Sequence, residues 1–130
     1  MSVVFHNLND KFIYDERGWV ANPFRLPNFP QRFGHLHAVS LEAGAVRGNH
    51  LHRTCREWLF IFGGRYSIFW REGDEVKRRI MEKEEYFTIE IPPGIVHAVR
   101  NEGESVIYLL SYQDADLDTV KADTEYYAIL

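Results

Sequence analysis

Three imidazoles and one carboxylate stand at spacings that let them meet. His50 and His52 are one residue apart, Glu57 follows five positions later, and His97 comes just after Pro92-Pro93-Gly94. Neutral imidazole nitrogens and an ionised carboxylate are the donors of a divalent first-row transition metal: Zn, Fe, Mn or Ni. With coordination positions left open, such an ion polarises a carbonyl or activates water. Residues two apart on a strand share a face, so His50 and His52 point the same way. Glu57 opens the apolar run 57–62, which ends at the turn pair Gly63-Gly64. Pro93-Gly94 suits the two central positions of a type II turn, which would deliver His97 onto the start of the next strand. A lone histidine is usually an ordinary surface or core residue. Four ligand-type residues at this spacing, with the turn chemistry in place, argue for one shared site.

Other side chains bear on chemistry. Arg47, Arg53 and Arg56 flank the histidines, and Arg17, Arg65 and Arg71 stand further off. The guanidinium fork matches phosphate oxygens, although arginines also serve as a solvated strand edge that discourages pairing. His35 and His37 share a strand face and could exchange a proton, as could Tyr66, Tyr108 and Tyr112; Tyr108 is taken as the acid. Cys55 reads as a partly buried loop cysteine more readily than as a reactive thiol.

The elements that must position these groups are short strands separated by turn signals, rich in Phe, Tyr, Trp, Val and Ile. A hairpin is expected over 11–14 and 19–21. Further strands are expected over 35–41, 49–53, 58–62, 66–71, 76–81, 86–91, 96–100 and 106–112. Such closely spaced strands suggest a sandwich or barrel. Residues 22–33 hold three prolines and three phenylalanines and read as an irregular loop, and the tail has a helical turn near 117–121. With Glu57, Leu59 and Ile61 facing inward, Trp58, Phe60 and Phe62 lie on an outer face that needs cover. A second subunit is the expected cover, hence a homodimer.

At 130 residues one domain, 1–130, is expected. The net charge of −4 does not favour nucleic acid. One cysteine excludes an intrachain disulfide and fits a reducing compartment. No basic-then-apolar leader is visible and no apolar stretch approaches the roughly 20 residues of a membrane span. The expected location is the cytoplasm, with no membrane partner.

The runs G-x5-H-x-H-x4-E-x6-G (Gly44 to Gly64) and P-x-G-x2-H-x3-N (Pro92 to Asn101) resemble the two motifs of the cupin superfamily. The second departs from the pattern only at Tyr86, where a glycine often stands. The resemblance implies an all-β fold, a double-stranded β-helix or jelly-roll barrel, with short irregular N- and C-terminal segments. It also implies a metal in the barrel mouth held by His50, His52, Glu57 and His97. A narrower resemblance follows. Asp15-Glu16-Arg17-Gly18-Trp19 is similar to an element of dTDP-4-dehydrorhamnose 3,5-epimerases, and Arg47-Gly48-Asn49-His50 to the R-G-x-H of those enzymes and of dTDP-sugar 3,4-ketoisomerases. The longer patterns R-G-N-H-x-H-x-T-x-x-E (47–57) and I-P-P-G-x-x-H-x-x-x-N (91–101) are similar to the C-terminal cupin domain of UDP-sugar epimerase/reductases. These resemblances imply an isomerase that takes a proton next to the keto group of a dTDP- or UDP-linked sugar. They imply His50 as base and Arg17 and Arg47 as substrate ligands. A tight metal ligand is a poor free base, so His35 or His37 could replace His50 in that role. The competing expectations are an Fe(II)-dependent cupin dioxygenase and a non-catalytic cupin that binds a small ligand.

Overall fold

The computed structural model describes residues 2–30 and 34–130. Met1 and the last three positions of the expected 22–33 loop lie outside the described residues. The strands are β1 (Val4–Asn7), β2 (Ile13–Asp15), β3 (Gly18–Val20), β4 (His35–Leu41), β5 (Val46–His52), β6 (Glu57–Phe62), β7 (Tyr66–Glu72), β8 (Glu75–Met81), β9 (Phe87–Ile91), β10 (His97–Asn101), β11 (Ile107–Gln113) and β12 (Thr124–Tyr126). A short α-helix, α1 (Leu117–Asp123), starts at Asp116, whose side chain accepts from the Thr119 N–H. Among the described residues, no helix is long and apolar enough to cross a membrane.

Two five-stranded antiparallel sheets face each other, in the orders β1-β9-β6-β11-β4 and β12-β5-β10-β7-β8, and β2-β3 forms a separate hairpin. This is the expected all-β jelly roll. Strand alternation builds its core: Leu59 and Ile61 of β6, Ile68 and Trp70 of β7, Val99 of β10, and Ile107 and Leu109 of β11 pack between the sheets. His50 and His52 on β5, Glu57 on β6 and His97 on β10 stand beside this core.

Two strands were not expected. β1 and β12 are edge strands of four and three residues, too short for alternation to show. β12 closes the second sheet beside β5, pairing Thr124 with His52 and Tyr126 with His50.

A second aromatic cluster answers the question of cover. Trp58 and Phe60 are buried, and Phe62 is half-buried. Trp19 meets Phe60 and Phe62 edge-on at ring-centroid distances of 6.3 and 5.5 Å, and Phe29 meets Trp58 at 5.0 Å. Phe12, stacked on Tyr86 at 3.8 Å, completes the layer with Leu8, Phe24 and Leu26. The N-terminal segment therefore covers the face for which a second subunit was expected, and that face no longer argues for a dimer.

Candidate metal and substrate site

The site is built around Glu57, the first residue of β6, whose carboxylate is buried. β11 runs beside β6 with Gln113 opposite Glu57, so the inward side chains of β11 reach the carboxylate. Oε2 accepts from Ser111 Oγ at 2.7 Å and from Gln113 Nε2 at 2.6 Å. Oε1 is left to face His97 Nε2 at 2.9 Å and His52 Nε2 at 3.6 Å. Burial alone would raise the pKa of Glu57, but the hydrogen bonds and charges of His52 and His97 hold it well below the usual carboxylate range. Sequence reasoning missed Ser111 and Gln113.

The turn before His97 has the expected form. Gly94 has φ +83°, and its N–H donates to the His52 carbonyl at 2.7 Å, tying the turn to the strand that carries the other histidines. His97 Nδ1 lies 2.9 Å from the Ile95 carbonyl. A carbonyl can only accept, so the proton is on Nδ1. Nε2 then faces a carboxylate oxygen, an arrangement stable only with a proton or a cation between them. His52 Nδ1 contacts Thr124 Oγ1 at 3.1 Å, and its buried Nε2 has no hydrogen-bond partner. Burial, and then the neighbouring His97, push the His50 pKa down to about 4, so its ring is neutral near pH 7. One donor atom from each of His50, His52, Glu57 and His97 lies within 4.8 Å of the others. Donors sharing an ion at about 2.1 Å each sit roughly 3–4 Å apart. The orphaned His52 nitrogen and the His97–Glu57 contact fit such an ion, which these four residues could hold.

A cavity of about 400 Å³ opens above the cluster. Val39, Leu59, Val99 and Leu109 make its apolar wall, and His37, Ser111, Tyr126 and Arg47 its polar one. Arg47 reaches this wall through a β-bulge. β5 moves two residues, from His50 to Gly48, while β10 moves one, from His97 to Ala98. Asn49 is the extra residue, and Arg47 consequently sits opposite Val99 on the same face as His50. Plain alternation would have put Arg47 and His50 on opposite faces. The bulge needs its residue types: Gly48 has φ +100°, and a Cβ there would lie 2.8 Å from the His97 carbonyl oxygen; Asn49 has φ +55°. Arg47 Nε donates to the Ser40 carbonyl at 3.1 Å, which steadies the guanidinium at the cavity wall.

Several expected residues lie elsewhere than at the cavity. Tyr108 points outward from β11, is 45% exposed and packs on Phe62. Since Ser111 and Gln113 face inward, the alternate positions 108, 110 and 112 face outward, and Tyr112 lies against Trp58. Tyr66 is buried in the core. The tyrosine at the cavity is instead Tyr126, its ring centroid 6.2 Å from that of His50. Arg17 lies in the β2–β3 turn, exposed, and pairs with Asp15 at 2.6 Å. The Asp15 carboxylate also accepts from the Arg17 N–H, so this local turn holds Arg17 away from the cavity. Arg53, Arg56 and Arg65 pair with Glu125, Glu90 and Glu82, and Arg71 lies over the Tyr127 ring. His37 lines the cavity, stacked on His35 at 4.9 Å, with a buried Nδ1 that has no partner. Cys55 is buried and its thiol is pushed up to about 11, first by burial and then by Asp123; it is an inert residue.

The sequence profile of the polysaccharide biosynthesis C-terminal domain family matches residues 13–125, and the chain belongs to that family. A comparison with curated proteins gives no sequence match. Three solved structures are similar. The dTDP sugar isomerase from Desulfovibrio desulfuricans G20 has 18% identity over 98% of this chain and 84% of its own, with a TM-score of 0.82. The sugar 3,4-ketoisomerase QdtA from Thermoanaerobacterium thermosaccharolyticum, in complex with TDP, has 19% identity over 95% and 86%, with a TM-score of 0.72. The capsular polysaccharide assembling protein CapF from Staphylococcus aureus has 22% identity over 91% of this chain, with a TM-score of 0.68. The chain spans 34% of the length of CapF.

Proposed function

We propose that this member of the polysaccharide biosynthesis C-terminal domain family is a metal-holding isomerase that moves a proton next to the keto group of a nucleotide-linked sugar. The observation that carries the reading is the joint one. A clamped Glu57 with three histidines forms the floor of an open cavity, and a bulge turns Arg47 onto the same face. The similar structures add the substrate class, since a QdtA variant holds TDP-4-keto-6-deoxyglucose.

On this reading His50, His52, Glu57 and His97 would hold the ion, which when bound would supply Lewis-acid stabilisation of negative charge on the keto oxygen. Arg47 binds the diphosphate at the cavity wall. The apolar wall of Val39, Leu59, Val99 and Leu109 limits water around the reacting carbon. With His50 as a ligand, His37 and Tyr126 are the cavity-wall groups that take and return the proton. Tyr108 and Arg17 have no part in it within one chain. A homodimer stays in the reading, through the exposed apolar side chains Ile13, Tyr14 and Val20 of the hairpin.

The test is proton exchange. Incubation with dTDP- and UDP-linked 4-keto sugars in deuterated water should place deuterium at the carbon beside the ketone, read by NMR. Arg47→Ala should raise the substrate concentration required by about tenfold or more, the loss of a charge-assisted contact. Absence of both exchange and nucleotide binding would reject the sugar reading. Iron in the purified protein, with oxygen consumed on a bound acid or sugar, would move the assignment to the oxygenase.

A further inference from the structure

We propose that Thr124 is a positioning residue for the metal centre: its hydroxyl fixes His52 in the tautomer that turns a bare Nε2 toward Glu57 and His97. The proposal rests on reading the four-residue cluster as a metal site.

A threonine hydroxyl has one hydrogen to give. Thr124 Oγ1 lies 2.7 Å from the Val120 carbonyl oxygen, which can only accept, so the hydrogen is spent there. The same Oγ1 lies 3.1 Å from His52 Nδ1. With its hydrogen committed, the hydroxyl can only accept from the ring, and Nδ1 must carry the proton. A neutral imidazole protonated on Nδ1 has its lone pair on Nε2. That nitrogen is buried, lacks a hydrogen-bond partner and faces Glu57 Oε1 at 3.6 Å. The opposite tautomer would point an N–H into the cluster and block ligation.

His97 reaches the same state through a carbonyl two residues away. His52 depends on a residue 72 positions along the chain, so its orientation requires the C-terminal segment to be docked. Two features hold that segment in register. β12 pairs Thr124 with His52 along the edge of β5. Asp123 accepts from the backbone N–H groups of Thr54 and Cys55, in the loop between His52 and Glu57. Partners of this kind on a ligating histidine are worth about 10–100-fold in metal affinity.

The experiment compares the full chain with Thr124→Val, which keeps the shape and loses the hydroxyl, and Thr124→Ser, which keeps the hydroxyl. Zn²⁺ affinity is read by competition with a chromophoric chelator, and Co²⁺ coordination by its visible spectrum. Thr124→Val should bind Zn²⁺ about 10–100-fold more weakly, with an altered Co²⁺ spectrum, while Thr124→Ser stays near the parent. Unchanged affinity and spectrum in a folded Thr124→Val would overturn the proposal. A parent protein that binds neither ion would overturn the metal reading beneath it instead. If Thr124→Val does not fold, ¹⁵N NMR of the parent without metal decides: a His52 ring protonated on Nδ1 supports the role, and one protonated on Nε2 overturns it.

Discussion

Asp123 shows how much of the candidate site depends on side chains outside the cavity lining. Its carboxylate accepts from Thr54 N–H, Thr54 Oγ and Cys55 N–H at 2.8–3.0 Å. Burial raises its pKa, but these hydrogen bonds outweigh it and bring the value down to about 2. A carboxyl with a depressed folded pKa adds stability above its unfolded pKa of about 3.9, and loses it as pH falls through the folded value. Asp123→Asn should therefore cost about 1–2 kcal/mol at pH 7. The gap to the parent should shrink between about pH 4 and about pH 2, as measured by urea unfolding at each pH. A constant gap across that range would show that charge is not what holds the loop. At this scale the four residues of the His/Glu cluster were legible because each carries its own chemistry and a recognisable spacing. Ser111, Gln113 and Tyr126 were not. The run 106–110 is apolar on both faces, so alternation could not say that 111 and 113 face inward and 108 outward, and a three-residue edge strand gives Tyr126 no pattern at all.

The bulge in β5 is the element on which the site turns. Without Asn49 as an extra residue, Arg47 would leave the cavity face, and the pairing of His50 with His97 would slip against the rest of β10. Gly48 is the weak point of this device, because a side chain there meets backbone atoms of His97 and Ala98 at 2.8 and 2.9 Å, and its φ of +100° disfavours any other residue. Gly48→Ala should cost about 2–3 kcal/mol, read as a lower urea midpoint at unchanged slope. It should also weaken nucleotide binding, through the displaced Arg47, beyond any effect of a distant substitution with the same loss of stability. Strands β2 to β11 were legible to within a few residues, since turn signals bound most of them, whereas β1 and β12 were not. The bulge was not. The R-G-N-H run marks where it occurs, but only the partner strand reveals that two residues on one side face one on the other.

At the scale of the whole molecule, the distinction that matters is between surface covered by the chain itself and surface left for a partner. Local alternation identified Trp58, Phe60 and Phe62 as an outer apolar face, and it could not identify the cover. That cover comes from residues some 30–50 positions earlier, in a segment whose prolines and phenylalanines show no periodicity. Trp19 is the keystone of the layer: its ring touches Phe12, Phe60, Phe62 and Tyr86. Trp19→Ala should cost about 3–5 kcal/mol, the range for truncating a large packed aromatic. Removing the cover should also expose Phe60 and Phe62, and sedimentation velocity at micromolar concentration then separates two arrangements. If the cover is internal, the variant should associate more than the parent, because fresh apolar surface seeks burial. If the segment instead completed its layer only against a second copy, losing Trp19 would shift a dimer toward monomer. The buried Trp58 and Phe60 within one chain set the expectation at the first outcome.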